Sequence, residues 1–268
     1  MSDKLSTLFS EAKIEYFAPL SYSDTVKVRT HLIDKLPFIP QSVIVFLVPY
    51  YGGETENISR YAASVDYHYV IKALSDKVIS GIRLEYTDAS FAAFGDHSPI
   101  DERHAAAVCG LGILGDNKLL INEKYGTYVF IGEIFTDLSP EILGAVTPKP
   151  IGRCEGCGAC HAACPTGALS GLSTCLSEIT QRKGELSADN IEIMRKVNTV
   201  WGCDLCQTAC PHNKDPEITP ISYFLEDRIE CLTEPLLSAM SDEEFSRRAF
   251  SWRGRAVLLR NIRELDKK

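Results

Sequence analysis

The stretch Cys154-Glu-Gly-Cys157-Gly-Ala-Cys160-His-Ala-Ala-Cys164-Pro165 decides the fold of the second half of this chain. Its spacing, Cys-x2-Cys-x2-Cys-x3-Cys-Pro, is that of bacterial ferredoxins, in which the fourth cysteine ligates the other cluster of a two-cluster domain. The first cluster would therefore hold Cys154, Cys157 and Cys160. It needs a fourth thiolate from a second motif, placed before a proline, and Cys210-Pro211 is the match.

The second motif, Cys203-x2-Cys206-x3-Cys210-Pro211, is one cysteine short of the full pattern. The second cluster would hold Cys203, Cys206 and Cys164, and it lacks a fourth ligand. Cys175 is nearest in sequence and is the expected ligand. The competing candidates lie outside the cysteine-rich segment and are Cys109 and Cys231.

Zinc is the alternative metal, because four cysteine thiolates also satisfy a tetrahedral zinc ion. Zinc ribbons use two Cys-x-x-Cys pairs, whereas this chain repeats a ladder of cysteines with a trailing Cys-Pro. The pattern therefore favours iron-sulfur clusters. Two clusters that share interleaved ligands lie close enough for electrons to pass between them, so the segment is expected to conduct electrons.

Composition narrows the class of protein. The chain has 268 residues, a formal net charge of −8 and ten cysteines. Eight of these cysteines lie between Cys154 and Cys210, which is unlike a disulfide framework and indicates the reducing cytoplasm. The sequence contains no apolar run long enough to suggest a membrane span. The acidic balance argues against broad nonspecific attraction to nucleic acid, although it allows a local basic patch.

The first 150 residues predict a mixed α/β region. Apolar runs at 41–51 and 128–135 predict buried strands, and helical periodicity predicts one long helix over 57–81 and a shorter one over 101–108. The prolines of 140–150 suggest a linker. After Pro220 the chain reads as helical, and Ser241 with Glu244 predicts a capping box.

Gly110-Leu-Gly-Ile-Leu-Gly115 fits the Gly-x-Gly-x-x-Gly pattern of dinucleotide-binding loops. That interpretation needs a strand before the loop and a helix after it. Here a helical pattern precedes and an apolar segment follows. We therefore expect either a tight backbone turn or a loop whose glycines let the backbone lie against a large flat cofactor.

Four further motifs, together with the ferredoxin segment, make the chain resemble the epoxyqueuosine reductases. They are Gly-Asp-His-Ser-Pro-Ile-Asp-Glu-Arg at 95–103, Gly-Leu-Gly-Ile-Leu-Gly-Asp-Asn-Lys-Leu-Leu-Ile-Asn at 110–122, Gly-Glu-Ile-Phe-Thr-Asp-Leu at 132–138 and Trp-Gly-Cys-Asp-Leu-Cys-Gln-Thr-Ala-Cys-Pro-His-Asn at 201–213. The resemblance is co-linear from about Val43 to Asn261.

The resemblance implies an α+β chain in three parts. A nitroreductase-like α/β domain that binds cobalamin would span 1–145, a ferredoxin-like domain with two 4Fe-4S clusters 146–220, and a short helical tail 221–268. It also implies the two ligand sets, Cys154, Cys157, Cys160 and Cys210 for one cluster and Cys164, Cys175, Cys203 and Cys206 for the other.

The resemblance places Asp96 at the family's catalytic acid, a proton donor above the cobalt. An acid there would protonate the alkoxide or hydroxide that forms as an epoxide opens and water is lost. The alternative role for Asp96 is to cap a helix that starts near Pro99. The other positions that match cobalamin contacts are Arg60, Asn117, Leu120, Ile131, Ser177 and Asp204. His68 and His97 are not expected to ligate cobalt.

Three departures from the family bear on the substrate. Asp116 stands where the family usually has lysine, the segment that would precede helical repeats is followed by the last residue Lys268, and the first 40 residues match only loosely. These departures weaken the case for tRNA without removing it. The expected activity is reductive dehydration of epoxyqueuosine to queuosine in tRNA. The alternatives are a cobalamin-dependent reductase for another, small-molecule substrate and a noncatalytic 4Fe-4S electron carrier. The expected electron donor is a flavodoxin or a ferredoxin.

Replacement of Cys175 tests the ligand assignment. Cys175→Ala is expected to lower the iron content from about eight to about four atoms per chain, because each 4Fe-4S cluster needs its full set of thiolates. Iron and acid-labile sulfide analysis of anaerobically reconstituted protein measures this. Full retention of iron would move the fourth ligand to Cys109 or Cys231.

Overall fold

The structure is a computed structural model, and it describes residues 1–267. The chain forms two compact units, each built from separate segments. The first unit comprises Met1–Pro49, His68–Gly115 and Leu119–Glu155. The second unit comprises Tyr50–Tyr67, Asp116–Lys118 and the chain from Gly156 onward. The division of the chain at residues 145 and 220 stays a prediction.

An antiparallel sheet is the centre of the first unit. Its strands run in the order β1-β2-β6-β3. The register places Phe46 of β2 opposite Phe17 of β1 and Gly132 of β6. A separate two-stranded sheet pairs β4 with β5. The strands are β1 (Phe17–Ser21), β2 (Ser42–Pro49), β3 (Phe91–Gly95), β4 (Ile113–Leu114), β5 (Leu120–Ile121) and β6 (Val129–Thr136).

The sequence runs that predicted the central strands, 41–51 and 128–135, correspond to β2 and β6. All eight residues of β2 are buried, because side chains on both of its faces pack in apolar surroundings. On one face the phenyl ring of Phe46 lies over Gly132, where an added Cβ would come within 2.2 Å of the ring. On the other face Val43, Val45 and Leu47 join the core beneath the helix that follows β3.

The helices of the first unit cover the sheet. The helix over Glu102–Val108 packs against β2 and β6, and Asp101 caps it by accepting a hydrogen bond from the backbone N–H of His104 at 3.1 Å. This confirms the predicted helix at 101–108. The helices are α1 (Ser2–Glu11), α2 (Thr30–Ile33), α3 (Tyr67–Arg83), α4 (Glu102–Val108) and α5 (Pro140–Leu143).

The long helix predicted over 57–81 is shorter than expected and begins at Tyr67. The residues before it use their backbone groups elsewhere in the second unit. Ser59 N–H donates to the carbonyl of Trp201 at 2.7 Å, and Asp66 N–H donates to the carbonyl of Arg247 at 2.8 Å. These tertiary bonds replace the intrahelical ones, so only a 3-10 turn forms over Arg60–Ala62.

The prolines at 140–150 do not form a separate linker. Ser139 caps the short α5, and the following segment hydrogen-bonds within the first unit. Val146 N–H donates to Pro19 at 2.8 Å, and Lys149 N–H donates to Val108 at 2.7 Å. The segment is therefore part of the first unit.

Short helices around an aromatic core make up the second unit. Trp201 and Phe250 are fully buried in this core, with their rings edge to face. The predicted capping box of Ser241 and Glu244 is present at the start of α11. The helices are α6 (Ala159–Ala163), α7 (Leu176–Gln181), α8 (Ala188–Val197), α9 (Leu205–Thr208), α10 (Glu234–Ala239), α11 (Asp242–Ser246) and α12 (Arg255–Asp266).

None of the helices within residues 1–267 has both the length and the apolarity that a bilayer crossing requires.

Asn261 ties α12 to two other segments of the second unit. Its buried amide donates to the carbonyls of Thr180 at 2.7 Å and Val200 at 2.8 Å. Asn261→Ala is expected to lower the free energy of unfolding by about 2–4 kcal/mol, because it leaves two buried carbonyls without donors. Urea denaturation measures this. Arg263→Ala on the exposed face of α12 removes a surface ion pair with Glu234 and should cost less than about 1 kcal/mol; equal losses would contradict the account.

Candidate functional site

Two short helices of the second unit present the paired cysteine motifs. α6 contains Cys160 and ends at Cys164, and α9 contains Cys206 and is followed by Cys210. Cys164 and Cys210 both adopt extended backbone angles, with φ/ψ of −72°/109° and −74°/126°. The helical conformation is disfavoured for a residue that precedes proline, so both helices end in the same way, before a Cys-Pro pair. The two helices pack against each other.

The thiols of the second predicted ligand set converge. Burial, followed by the charges of the neighbouring Cys203, Cys175, Asp204 and Cys164, raises the pKa of Cys206 to about 12. Burial also raises the pKa of Cys203 to about 11, with Cys175 and Cys164 among the charges that act on it. All four thiols therefore lie within electrostatic reach of one another. The sequence motif alone left the membership of Cys175 open.

Cys164 is the thiol of this set best prepared to ionise. Burial opposes its ionisation, yet hydrogen bonds from the backbone of Leu169, Thr166 and Ala168 and from the Thr166 hydroxyl outweigh burial, so the pKa of Cys164 lies below its ordinary value. Donors that point at a sulfur stabilise the thiolate, which is the form that binds metal. The donor set of these four residues therefore fits an iron-sulfur cluster in its chemistry.

No three His, Cys, Asp or Glu side chains in the described chain lie close enough to share a single metal ion. The first ligand set is divided between the units. Cys157, Cys160 and Cys210 belong to the second unit, and Cys160 and Cys210 are buried. Cys154 belongs to the first unit, where its N–H donates to the carbonyl of Leu114 at 3.1 Å. The assignment of this set stays a prediction.

Asp204, between Cys203 and Cys206, forms a buried network with Arg60. One carboxylate oxygen of Asp204 accepts from the backbone N–H of Arg60 at 2.7 Å and from its guanidinium at 3.2 Å. The other accepts from the Ser59 hydroxyl at 2.5 Å. The guanidinium also pairs with Glu54. Two positions that the sequence assigned separately to the cofactor thus bind each other and fix the start of α9.

A cavity of about 160 Å³ opens beside this network within the second unit. It is lined by residues of the 55–60 segment, by Asn198 and Thr199, and by Cys203, Asp204, Leu205 and Thr208. The cavity gives a small group access to the backbone beside Cys203.

The remaining predicted contacts are spread over the fold. Asn117 is buried and follows β4 along the chain, and Ser177 lies in the first turn of α7, where its hydroxyl accepts from Gln181 at 3.3 Å. Leu120 and Ile131 are buried in the core of the first unit. Their side chains are occupied by packing, so only their backbone groups are available to a ligand.

Asp96 lies at the exposed tip of a loop in the first unit, and the residues that follow the tip are buried. It has a left-handed backbone with φ of 66°, and its carboxylate is 64% exposed and lies 4.0 Å from the imidazole of His68. Ser98, Pro99 and Ile100, directly after the tip, are buried. The start of α4 is capped by Asp101, so the alternative role of Asp96 as the cap of that helix is not observed.

Two carboxyl groups lie near this loop, the buried Glu133 and the half-buried Glu102, and the sequence analysis did not single them out. Glu133 on β6 is fully buried, and its Oε2 accepts a short hydrogen bond from the Ser98 hydroxyl. Burial raises the pKa of Glu133 to about 8. Burial, followed by the charge of Asp96, raises the pKa of Glu102 to about 7. A glutamate inside the apolar run that predicted β6 was the available signal.

Comparison with known families supports the iron-sulfur interpretation. Residues 153–213 match the family model of the 4Fe-4S double cluster binding domain. This match confirms the prediction of a two-cluster segment.

Curated relatives extend the likeness beyond that segment. The epoxyqueuosine reductase of Lactococcus garvieae is 33% identical over 222 residues, which cover 77% of this chain and 60% of the relative. That of Pseudomonas aeruginosa is 34% identical over 196 residues, covering 71% of this chain and 52% of the relative. The chain therefore spans between half and three fifths of the length of these relatives.

Solved structures agree in fold. The epoxyqueuosine reductase of Streptococcus thermophilus superposes with a TM-score of 0.78 at 22% identity, over 99% of this chain and 80% of that chain. An epoxyqueuosine reductase with an epoxyqueuosine-modified tRNA-Tyr stem loop gives a TM-score of 0.77 at 23% identity, over 98% and 80%. These likenesses establish the mixed helix and sheet fold.

The buried Glu133 predicts a dependence of stability on pH. Its pKa rises from an ordinary 4.5 to about 8 on folding, so the folded state holds a proton that the unfolded state has released. Stability is therefore lost as pH rises between about 5 and 8. Glu133→Gln, which keeps the shape and removes the ionisation, should have a melting temperature that increasingly exceeds that of the parent protein over this range. A constant difference between pH 5 and 8 would show that Glu133 does not titrate there.

Proposed function

The chain belongs to the epoxyqueuosine reductase family, and we propose that it is a cobalamin-dependent iron-sulfur reductase that converts epoxyqueuosine in tRNA to queuosine. The observation that carries this proposal is the convergence of Cys164, Cys175, Cys203 and Cys206. This convergence pairs thiols from two separate motifs, as two clusters with interleaved ligands require. The proposed reaction is the one for which the curated relatives, the epoxyqueuosine reductases, are named.

Within this proposal the first unit is the nitroreductase-like cobalamin domain and the cysteine-rich part of the second unit is ferredoxin-like. The four-stranded antiparallel sheet with helices on its faces supports the first assignment. The two Cys-Pro turns with matching backbone angles support the second. The helices after Pro220 form the tail.

The two clusters would use the ligand sets implied by the family pattern. Cys164, Cys175, Cys203 and Cys206 hold one cluster, and Cys154, Cys157, Cys160 and Cys210 hold the other. The N–H groups around Cys164 support the first of these sets, because they stabilise a thiolate. Thiols such as those of Cys203 and Cys206, whose pKa values burial raises, release protons when metal binds.

The residues proposed to hold cobalamin are Arg60, Asp96, Asn117, Leu120, Ile131, Ser177 and Asp204. Their chemistry fits a large group with an apolar face and an amide rim. Leu120 and Ile131 offer backbone groups beside apolar surface, and Asn117 offers a buried amide. When bound, cobalamin would supply a reduced cobalt centre as the source of electrons for the substrate.

Asp96 is the proposed proton donor. Removing the epoxide oxygen as water and forming the double bond consumes two electrons and two protons, so the site needs an acid that delivers protons to the leaving oxygen. The carboxylate of Asp96 is exposed, and the residues that anchor its loop, Ser98 to Ile100, are buried. The imidazole of His68 lies 4.0 Å from this carboxylate.

The proposed partners follow from the same relatives. One epoxyqueuosine reductase structure holds a tRNA-Tyr stem loop, which supports tRNA as the substrate of this chain. A flavodoxin or ferredoxin is the proposed electron donor, since both deliver single electrons to iron-sulfur clusters. The proposed location is the cytoplasm, where tRNA is modified.

Anaerobic reconstitution tests the proposal in two steps. The purified chain should bind about eight irons, and added cob(II)alamin should show a base-off paramagnetic resonance spectrum. With reductant and an epoxyqueuosine tRNA stem loop, it should form queuosine. Asp96→Ala should keep iron and cobalamin and lose turnover by at least about a hundredfold, the usual contribution of a general acid.

Asp88→Ala is the matched control, because Asp88 is an exposed aspartate elsewhere in the first unit. It should leave iron, cobalamin binding and turnover unchanged. Eight irons without cobalamin binding would make the chain an electron carrier. Unchanged turnover in Asp96→Ala would remove Asp96 from the mechanism.

A further inference from the structure

The loop that carries Asp96 is fixed at its base by a buried side-chain contact. Ser98, two residues after Asp96, donates its hydroxyl hydrogen to Glu133 and accepts the backbone N–H of Ile100 at 3.3 Å. Ser98 N–H donates to the carbonyl of Asp96 at 3.1 Å. One hydroxyl therefore connects the turn at Asp96 to the central strand β6.

Val28 and Arg29, in the segment before α2, also bond to the residues that anchor the Asp96 loop. The guanidinium of Arg29 donates to the carbonyl of Ser98 at 3.0 Å, and the backbone N–H groups of Val28 and Arg29 donate to Pro99 at 2.9 and 3.0 Å. These three bonds do not involve the carboxyl group of Glu133. The Ser98 hydroxyl contact is the part of the base that depends on a carboxyl group.

Glu133 is an unusual residue for this position. It is 0% exposed, it lies on the core side of β6 with Ile131 and Phe135, and its Oε1 is buried without a hydrogen-bond partner. A charged carboxylate with an unsatisfied oxygen in an apolar core is costly, whereas a neutral acid is tolerated. Glu102 is half-buried, and its Oε2 is likewise buried without a hydrogen-bond partner.

We propose that Glu133 is a positioning residue for Asp96: through Ser98 it holds the acid loop closed over a buried neutral acid, and because the carboxylate needs water, its ionisation favours an open loop. Glu102 acts with it, because both carboxyls lie within electrostatic reach of each other. The proposal rests on the proposed function for the role of Asp96. It adds a pH-responsive latch beneath the catalytic acid.

The charged surroundings favour the neutral acid. Burial opposes a charge on Glu133 most strongly, and the acids Glu102 and Asp101 add to this effect, whereas the hydrogen bond from Ser98 favours the carboxylate and is outweighed. The cations Arg103 and Arg29 act on Glu102, from α4 and from the segment before α2. The other titratable groups of the loop and of the elements packed around it are Lys27, His68, Asp96, His97 and His104. Burial raises the pKa of Glu133 to about 8, which puts the release of the loop within a testable range.

Hydrogen exchange measures the latch without substrate or turnover. Amide exchange of peptides covering 95–101 is followed by mass spectrometry between pH 6 and 8 on the full chain with reconstituted clusters, with intrinsic rates divided out. In the parent protein, protection should fall by up to about tenfold per pH unit, because the released loop lets Glu133 ionise. In Glu133→Gln, which keeps a neutral acceptor for Ser98, protection should not depend on pH.

Two further variants complete the test. Glu123→Gln changes an exposed glutamate that hydrogen-bonds Tyr16, and it should keep the pH dependence of the parent. Ser98→Ala removes the linking hydroxyl, so the loop should be less protected at every pH, while the pH slope, which comes from the buried Glu133, should remain. The same slope in the parent and in Glu133→Gln would overturn the latch, as would a pH-independent parent.

Turnover then separates the latch from the proposed function. If queuosine forms, kcat of the parent should decline above pH 8 while that of Glu133→Gln declines less, with KM similar in both. If no queuosine forms but the exchange results hold, the latch stands and the proposed reaction fails. If queuosine forms and the kcat profiles coincide, Glu133 does not position Asp96.

Discussion

The cysteine-rich unit depends on the segment Val200–Asp204, whose polar groups are bonded to the surrounding protein. Val200 N–H donates to Asn57 at 2.6 Å, the carbonyl of Trp201 accepts from Ser59 at 2.7 Å, and the Trp201 indole donates to Tyr61 at 2.9 Å. Gly202 adopts φ of 76° and leaves no room for a Cβ, which would lie 2.4 Å from Ser59. Cys203 follows directly. Helices of four to six residues such as α6, α7 and α9 are not stable alone, so the thiols are positioned by these tertiary bonds and not by helix propensity.

A second constraint, in the first unit, is the position of Glu133 within an apolar core and of the half-buried Glu102 at the start of α4. A buried carboxyl is a poor source of stability, and an apolar residue of similar size would serve packing better. Glu133 and Glu102 both have an oxygen without a partner, so the fold tolerates them only while they hold protons. These acids near the Asp96 loop thus lower the stability of the fold, and they control the loop. The cysteine ligands of the second unit have the opposite effect, because they stabilise the fold when metal replaces their protons.

Much of this architecture could be predicted from the sequence. The strands β2 and β6, the helix α4 and the Ser241 capping box follow from periodicity and caps, since these signals act over a few residues. The pairing of Cys164 with Cys203 and Cys206 follows from the ferredoxin spacing. The start of α3 could not be predicted, because residues 57–66 bond to backbone at 201 and 247, far away in sequence. The bond between Arg60 and Asp204 and the contact of Glu133 with Ser98 depend on tertiary proximity in the same way.

The arginines of the carboxyl-terminal segment show why net charge is a poor guide to a nucleic-acid partner. Arg255 donates to the carbonyls of Leu237 and Met240 at the end of α10, at 2.6 and 2.8 Å, and Arg260 donates to the carbonyl of Arg182 at 2.7 Å. These guanidinium groups cap helices and clamp loops. Phosphate recognition by arginine needs a free pair of parallel donors, and donors already bonded to carbonyls cannot supply it. The guanidinium groups of Arg255 and Arg260 therefore serve the fold, and their positive charges do not count toward a phosphate-binding surface.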